Sequence, residues 1–216
     1  MKKALPAAFA FLILIAGGIY LYTKPSKADN ELIKEYLGAA TASLYIAKTE
    51  IITGSVKPAK EAADNWLLRN KELEDFKNDV QKISGANESD MKGYALEYLR
   101  DIQLLHSVLW EMQKDKITFA ETYGEIRALK NTPGDFSNTG KVLEFSNKIN
   151  ELSGRLNSGK EEISKDFYML RTIVEKIIPI SDRLSVYYSG AILDKADAEK
   201  AFGLEQYFLE SPDFKI

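Results

Sequence analysis

Hydrophobic positions fall into two regimes along the 216-residue chain. From Ala4 to Tyr22 they are nearly continuous and no residue is charged. As an α-helix this stretch reaches about 28 Å, close to the thickness of a bilayer's hydrocarbon core. After it, apolar residues recur at steps of three and four from Asp29 to about Leu209. That spacing marks amphipathic helices, and no run alternates with the period of a strand.

The first of these helices is expected to start at Asp29 or Asn30, either of which can cap it, and to end at Gly54. Its stripe is Ile33, Tyr36/Leu37, Ala40, Leu44, Ala47 and Ile51. Pro58 suits the first turn of a second helix, whose buried face reads Ala62, Trp66, Leu73, Phe76, Val80 and Ile83. Ser84-Gly85-Ala86-Asn87 breaks it, and Asn87 with Asp90 resembles a capping pair for the third. The third stripe is the most apolar: Met91, Tyr94/Ala95, Tyr98/Leu99, Ile102, Leu105, Leu109 and Met112. It continues through Phe119, Tyr123 and Ile126, past Lys114-Asp115-Lys116, and the pattern over 89–130 fits one helix or two.

Asn131-Thr132-Pro133-Gly134-Asp135 is the clearest loop. Beyond it Val142, Phe145, Ile149, Leu152 and Leu156 form a seam of about two heptads, the pattern of a packed bundle helix. Asn157-Ser158-Gly159 predicts a tight turn, with Ser158 and Glu161 as a capping box for the next helix. That helix would bury Ile163, Phe167, Leu170, Val174 and Ile177, and Pro179 should end or kink it. Leu184, Tyr187 and Tyr188 follow, then a last short helix from about Asp194 to Leu209 and a tail opened by Ser211-Pro212-Asp213. The expected fold is all-α: an antiparallel bundle of about five to six helices in residues 29–216. One hydrophobic membrane helix with a short linker precedes it in residues 1–28.

Whether residues 1–28 stay attached turns on their length. The apolar run exceeds a secretory h-region, and Tyr20 and Tyr22 suit the far interface of a bilayer, so an uncleaved anchor is expected. Ser26-Lys27-Ala28 offers the alternative, cleavage after Ala28 and secretion. Both place the bulk of the chain outside the cytoplasm. Lipoprotein attachment is excluded because the chain has no cysteine, which also removes disulfides, thiol catalysis and Fe–S clusters.

All 32 acidic residues lie at or after Asp29, against 25 of the 29 basic ones, so the part beyond Ala28 carries a formal charge of −7. Such a surface repels phosphate backbones, and nucleic acid is not an expected partner. Chemistry is sparse. His106 is the sole histidine, and Gln103 stands where a Glu-x-x-His ligand pair would need an acid. Gly154 to Lys160 matches the Gly-x4-Gly-Lys spacing of a phosphate loop, but Glu161 replaces the Mg²⁺-binding Ser or Thr and a helix precedes it. Glu72, Glu74 and Asp75 read as a solvated face. Trp66 and Trp110 read as core. Asn87-Glu88-Ser89 is a glycosylation sequon, meaningful only in a eukaryotic secretory pathway.

No catalytic, cofactor or metal residues are therefore assigned. The expected role is a non-catalytic, membrane-tethered interaction or scaffold subunit of a cell-envelope assembly, binding another envelope protein or itself. An extracytoplasmic small-molecule-binding or sensory bundle is the alternative, and a carboxylate-dependent enzyme the second. Six of the 23 aromatic residues fall in the last 30 positions, and Tyr207, Phe208 and Phe214 are the candidate partner-binding residues.

Overall fold

The computed structural model describes residues 27–53, 60–83, 90–131 and 138–190. They form four helices: α1 (Lys27–Thr53), α2 (Lys60–Lys82), α3 (Asp90–Asn131) and α4 (Thr139–Leu184). No strand occurs among the described residues. None of these helices is long and apolar enough to cross a membrane. The hydrophobic stretch of residues 4–22, the Asn87 capping position, most of the loop after Asn131 and the expected last helix lie outside the described residues.

The 42 residues of α3 make one continuous helix, which settles the choice the pattern left open. The helix is the axis of the molecule. From Met91 to Gln113 it is buried on several sides, at Lys92, Ala95, Tyr98, Leu99, Asp101, Ile102, Leu105, His106, Val108 and Leu109 among others. From Lys116 onward burial narrows to Lys116, Phe119, Thr122 and Ile126, one position per turn on one face. The same change runs the other way along α4. Leu152, Leu156 and Ile163 form a single stripe, and the buried face widens from Asp166 and Phe167 to Leu184.

Helix lengths explain the change. α1 and α2 have 27 and 23 residues, about 41 and 35 Å, while α3 and α4 reach about 63 and 69 Å. Four helices enclose a body, and α3 and α4 continue past it as a two-helix arm. The pairs Arg155–Glu125 (3.8 Å), Arg183 over the Tyr94 ring (5.3 Å) and Tyr187 Oη to Asp90 Oδ2 (3.5 Å) fix these two helices as antiparallel. α2 runs antiparallel to α3 as well: Asn70 meets Ser107, Lys77 meets Gln103, and Lys92 meets the end of α2. The six residues 54–59 reach about 20 Å and cannot cross the length of α2, so α1 ends where α2 begins. The order is up, down, up, down. The start of α1 and the end of α4 share the base of the body, and the arm leaves from the opposite end.

Local sequence accounts for each seam. Ile33, Leu37, Ala40, Leu44 and Ala47 of α1 are buried at alternating steps of four and three, as the pattern predicts. Thr41 Oγ1 donates to the Leu37 carbonyl (2.8 Å), so the Tyr98 hydroxyl is the donor to Thr41 (3.0 Å) and ties α1 to α3. On α2 the inner positions are Ala63, Trp66, Asn70, Leu73, Lys77 and Val80. Ala63 replaces the expected Ala62, and Phe76 is only half-buried, stacked on Tyr36 at 4.5 Å. Asn70 and Lys77 put polar side chains into this seam and fix its register through their hydrogen bonds to α3. Lys92 of α3 is buried and donates to the Ile83 (2.6 Å) and Gln81 (3.2 Å) carbonyls, satisfying the C-terminal end of α2.

Two expected breaks do not occur. Asn157-Ser158-Gly159 is not a turn, and Ser158 with Glu161 is no capping box, because α4 runs through them. Gly159 instead faces α3: a Cβ there would sit 3.3 Å from Phe119 Cδ2, so the missing side chain lets the helices approach. Burial of Leu156 and Ile163 on either side outweighs the roughly 1 kcal/mol that glycine costs inside a helix. Pro179 does not end α4 either. It is exposed, so the Glu175 carbonyl it leaves without a donor lies on the solvent side, while Ile177, Ile180 and Leu184 hold the last turns to the core. Two expected bundle helices are therefore one. Its start is capped by Asn138, whose side chain accepts from Gly140 N at 2.8 Å. At the base, Tyr188 leans over Gly38 of α1, where a Cβ would meet its hydroxyl at 2.9 Å.

Candidate functional site

The residues singled out from sequence do not assemble into one site. Tyr207, Phe208 and Phe214 lie outside the described residues. His106 is fully buried between α2 and α3, its ring 4.9 Å from Trp66 and tilted by 49°. Neither ring nitrogen has a hydrogen-bond partner among the described residues, nor does Asn70 Oδ1 on the facing helix. Burial, with the positive charge of Arg69 adding to it, pushes the imidazole down to about 3. The ring is neutral at physiological pH and closed off from solvent, which suits a core residue and neither a base nor a metal ligand. Among the described residues no group of three or more His, Asp or Glu is placed to hold a metal.

The phosphate-loop spacing from Gly154 to Lys160 lies wholly inside α4, where backbone N–H groups point along the helix and cannot cradle an anion. Glu72 and Asp75 are exposed as expected. Glu74 is more involved: Lys77 and Gln103 both donate to it and hold its carboxyl below the usual range. Trp66 is core, whereas Trp110 is half-buried with Lys114 Nζ 4.2 Å from its ring.

What the sequence reading missed sits where body meets arm. Glu111 and Asp115 are one helical turn apart on α3, Glu162 and Asp166 one turn apart on α4, and the seam brings the two pairs together. Asp166 is 9% exposed, and its Oδ2 has no partner among the described residues. Burial, reinforced by the charges of Asp115, Glu111 and Glu162, pushes its carboxyl up to about 7. Burial and Glu111 raise Asp115 as well. Lys116 is buried beside them, its Nζ 5.9 Å from the Phe167 ring. The sequence signal is the Glu-x3-Asp spacing on both helices, which places like charges at i,i+4, normally unfavourable on a helix.

Apolar side chains reach the surface along α4. Leu143 is 62% exposed and Val142 39%, and Phe145 and Ile149 are half-buried, so the N-terminal half of the expected heptad seam lies uncovered while Leu152 and Leu156 are buried. Further along, Tyr168 and Met169 flank a shallow groove with Glu161, Ser164 and Lys165. No family model matches this chain, and no curated protein and no solved structure matches it.

Proposed function

We propose that this chain is a non-catalytic, membrane-tethered helical interaction subunit of a cell-envelope assembly, with the α3–α4 arm as its presenting surface. The observation that carries the reading is the length mismatch of the helices. α3 and α4 continue well beyond α1 and α2, and near the start of α4 they leave Val142 and Leu143 in water. The exposed part of each side chain forgoes about 25 cal/mol per Å² that burial against a partner surface would return. A bundle that only enclosed a core would need no such extension.

Topology supports the tether. The chain enters α1 at the base, so a membrane segment in residues 4–22 would put the arm tip on the far side of the body. The tip would stand about 60 Å from the base, the length of α3. A partner at that height is another protein of the envelope or a second copy of this chain. The test is Leu143→Glu in the full-length protein, with partners captured from detergent-solubilised membranes. A charge at this exposed position leaves the melting temperature within about 2 °C, because it breaks no core contact, and reduces the captured partner at least tenfold. Undiminished capture by Leu143→Glu would show that the arm is not the presenting surface.

A further inference from the structure

The surface of α4 changes character where the helix leaves the body. Lys141, Glu144, Lys148, Glu151 and Arg155 follow one another at steps of three and four, so every charge between Thr139 and Gly159 lies on one stripe. Leu152 and Leu156 mark the inner stripe and are buried. A third stripe, Leu143, Ser146, Asn150, Ser153 and Asn157, stands two residues on from the charged one, about 200° around the helix, and carries no charge. It is exposed at every position but Ser153, which is half-buried. The same row continues onto the body as Glu161, Ser164, Tyr168, Arg171 and Glu175, where charge returns and Arg171 bonds Glu175 at 3.1 Å. The charge-free face is confined to the arm.

Neither helix propensity nor packing within the chain accounts for this face. Asparagine and serine are poor helix formers, and solvent-facing helix positions favour lysine and glutamate. Gly154, beside the row, weakens a helix interior, yet a Cβ there would meet nothing within 4 Å. Gly159, by contrast, makes room for Phe119. Depletion of charge on an exposed face, with an uncovered leucine at one end of it, is the composition of an interface core.

We infer, on the reading of the arm as the presenting surface, that this face pairs with the same face of a second copy of the chain, the two α4 helices running parallel about a two-fold axis along the arm. Copies tethered in one membrane hold their arms at one height and in one direction, so each position meets its own counterpart. Leu143 meets Leu143, and Asn150 and Asn157 meet themselves. An amide side chain both donates and accepts, so asparagine is its own complement, and a facing pair of them fixes register. The charged stripes turn outward. A row of one sign on the face itself would repel its copy. From Leu143 to Asn157 the face is about 21 Å long. That is about two heptads, fewer than the three or four of a free coiled coil. The contact is weak on its own and draws on the high local concentration that a shared membrane provides.

The chain has no cysteine, so single cysteines report on the pairing without background. Asn150→Cys, Asn157→Cys and Glu144→Cys are introduced one at a time into the full-length protein, which is reconstituted in lipid vesicles at low density and mildly oxidised. A disulfide forms only where the two Cα atoms come within about 7 Å. Asn150→Cys and Asn157→Cys are expected to give at least fivefold more cross-linked dimer than Glu144→Cys on the charged stripe. Either face position carries the test if the other variant folds poorly. Adding Leu143→Glu to Asn157→Cys is expected to cut the dimer at least fivefold. Equal cross-linking at all three positions, or none, would overturn the pairing, and so would a dimer of Asn157→Cys that survives Leu143→Glu. If cross-linking fails while Leu143→Glu still lowers the partner captured from membranes, the arm presents to a different protein and only the pairing falls. A protein that does not float with the vesicles removes the tether and the pairing with it.

Discussion

His106 and Asp166 are both deeply buried and both displaced in pKa, yet they pull stability in opposite directions. The imidazole falls to about 3 from an unfolded value near 6.5, so the folded state binds fewer protons between these limits. Its contribution is present above about pH 6.5 and is lost as the pH drops through the folded value. The Asp166 carboxyl rises to about 7 from roughly 3.9, so the folded state binds more protons there. Its contribution is present below about pH 4 and is lost as the pH climbs toward 7. Between about pH 4 and 6.5 the two slopes oppose each other, each at most about 1.4 kcal/mol per pH unit. The native protein is therefore expected to show an almost flat stability profile from these two groups in that window. His106→Phe unmasks the carboxyl, and urea midpoints then fall as pH rises. Asp166→Asn unmasks the imidazole, and midpoints rise with pH. Parallel profiles in the two variants would refute the assignment of opposed slopes. Removing His106 also removes two buried nitrogens without partners, so His106→Phe should cost little or nothing near pH 7.

Among the helices, α4 shows how local signals lose to burial. Pro179 costs a helix about 3 kcal/mol in an isolated setting, and here the helix passes through it. Because the position is exposed, alanine there restores the bond to the Glu175 carbonyl without disturbing the core. Pro179→Ala is expected to stabilise by about 1 kcal/mol, since the restored bond is partly offset by greater freedom of the unfolded chain. Differential scanning calorimetry would show a rise of roughly 2–4 °C, and a fall would mean that the neighbouring turns have adapted to the proline. The apolar faces were legible because period three-to-four survives any packing arrangement: the α1 stripe from Ile33 to Ala47 and the α3 stripe appear as read. The helix ends were less so. Asn157-Ser158-Gly159 has turn chemistry, and only the contact between Gly159 and Phe119, 40 residues earlier, explains why it stays helical. Asp115 and Asp166 were invisible as a pair for the same reason. Their meeting depends on the register of α3 against α4, and a single helix shows only two acids one turn apart.

Over the whole molecule, one candidate partner surface lies on the arm and the other falls outside the described residues. The chain leaves the described region at Gly190, at the base, and Tyr207, Phe208 and Phe214 follow it. Val142 and Leu143 lie near the start of α4, at the arm end. Deleting residues 211–216 is expected to leave the melting temperature within a few degrees and to weaken capture of any partner that reads the tail. If that deletion abolishes capture while Leu143→Glu does not, the tail and not the arm is the presenting surface. A drop of about 10 °C on deletion would instead make the tail part of the bundle's packing. The unequal helix lengths have a mechanical consequence too. Beyond Lys116 the α3 side of the arm runs another 15 residues, about 22 Å, from a root at the height of Lys116. A tilt of about 10° at that root moves the tip of α3 by roughly 4 Å, so a displacement at the fulcrum too small to disturb the core is magnified into a shift of one side-chain diameter at the working end.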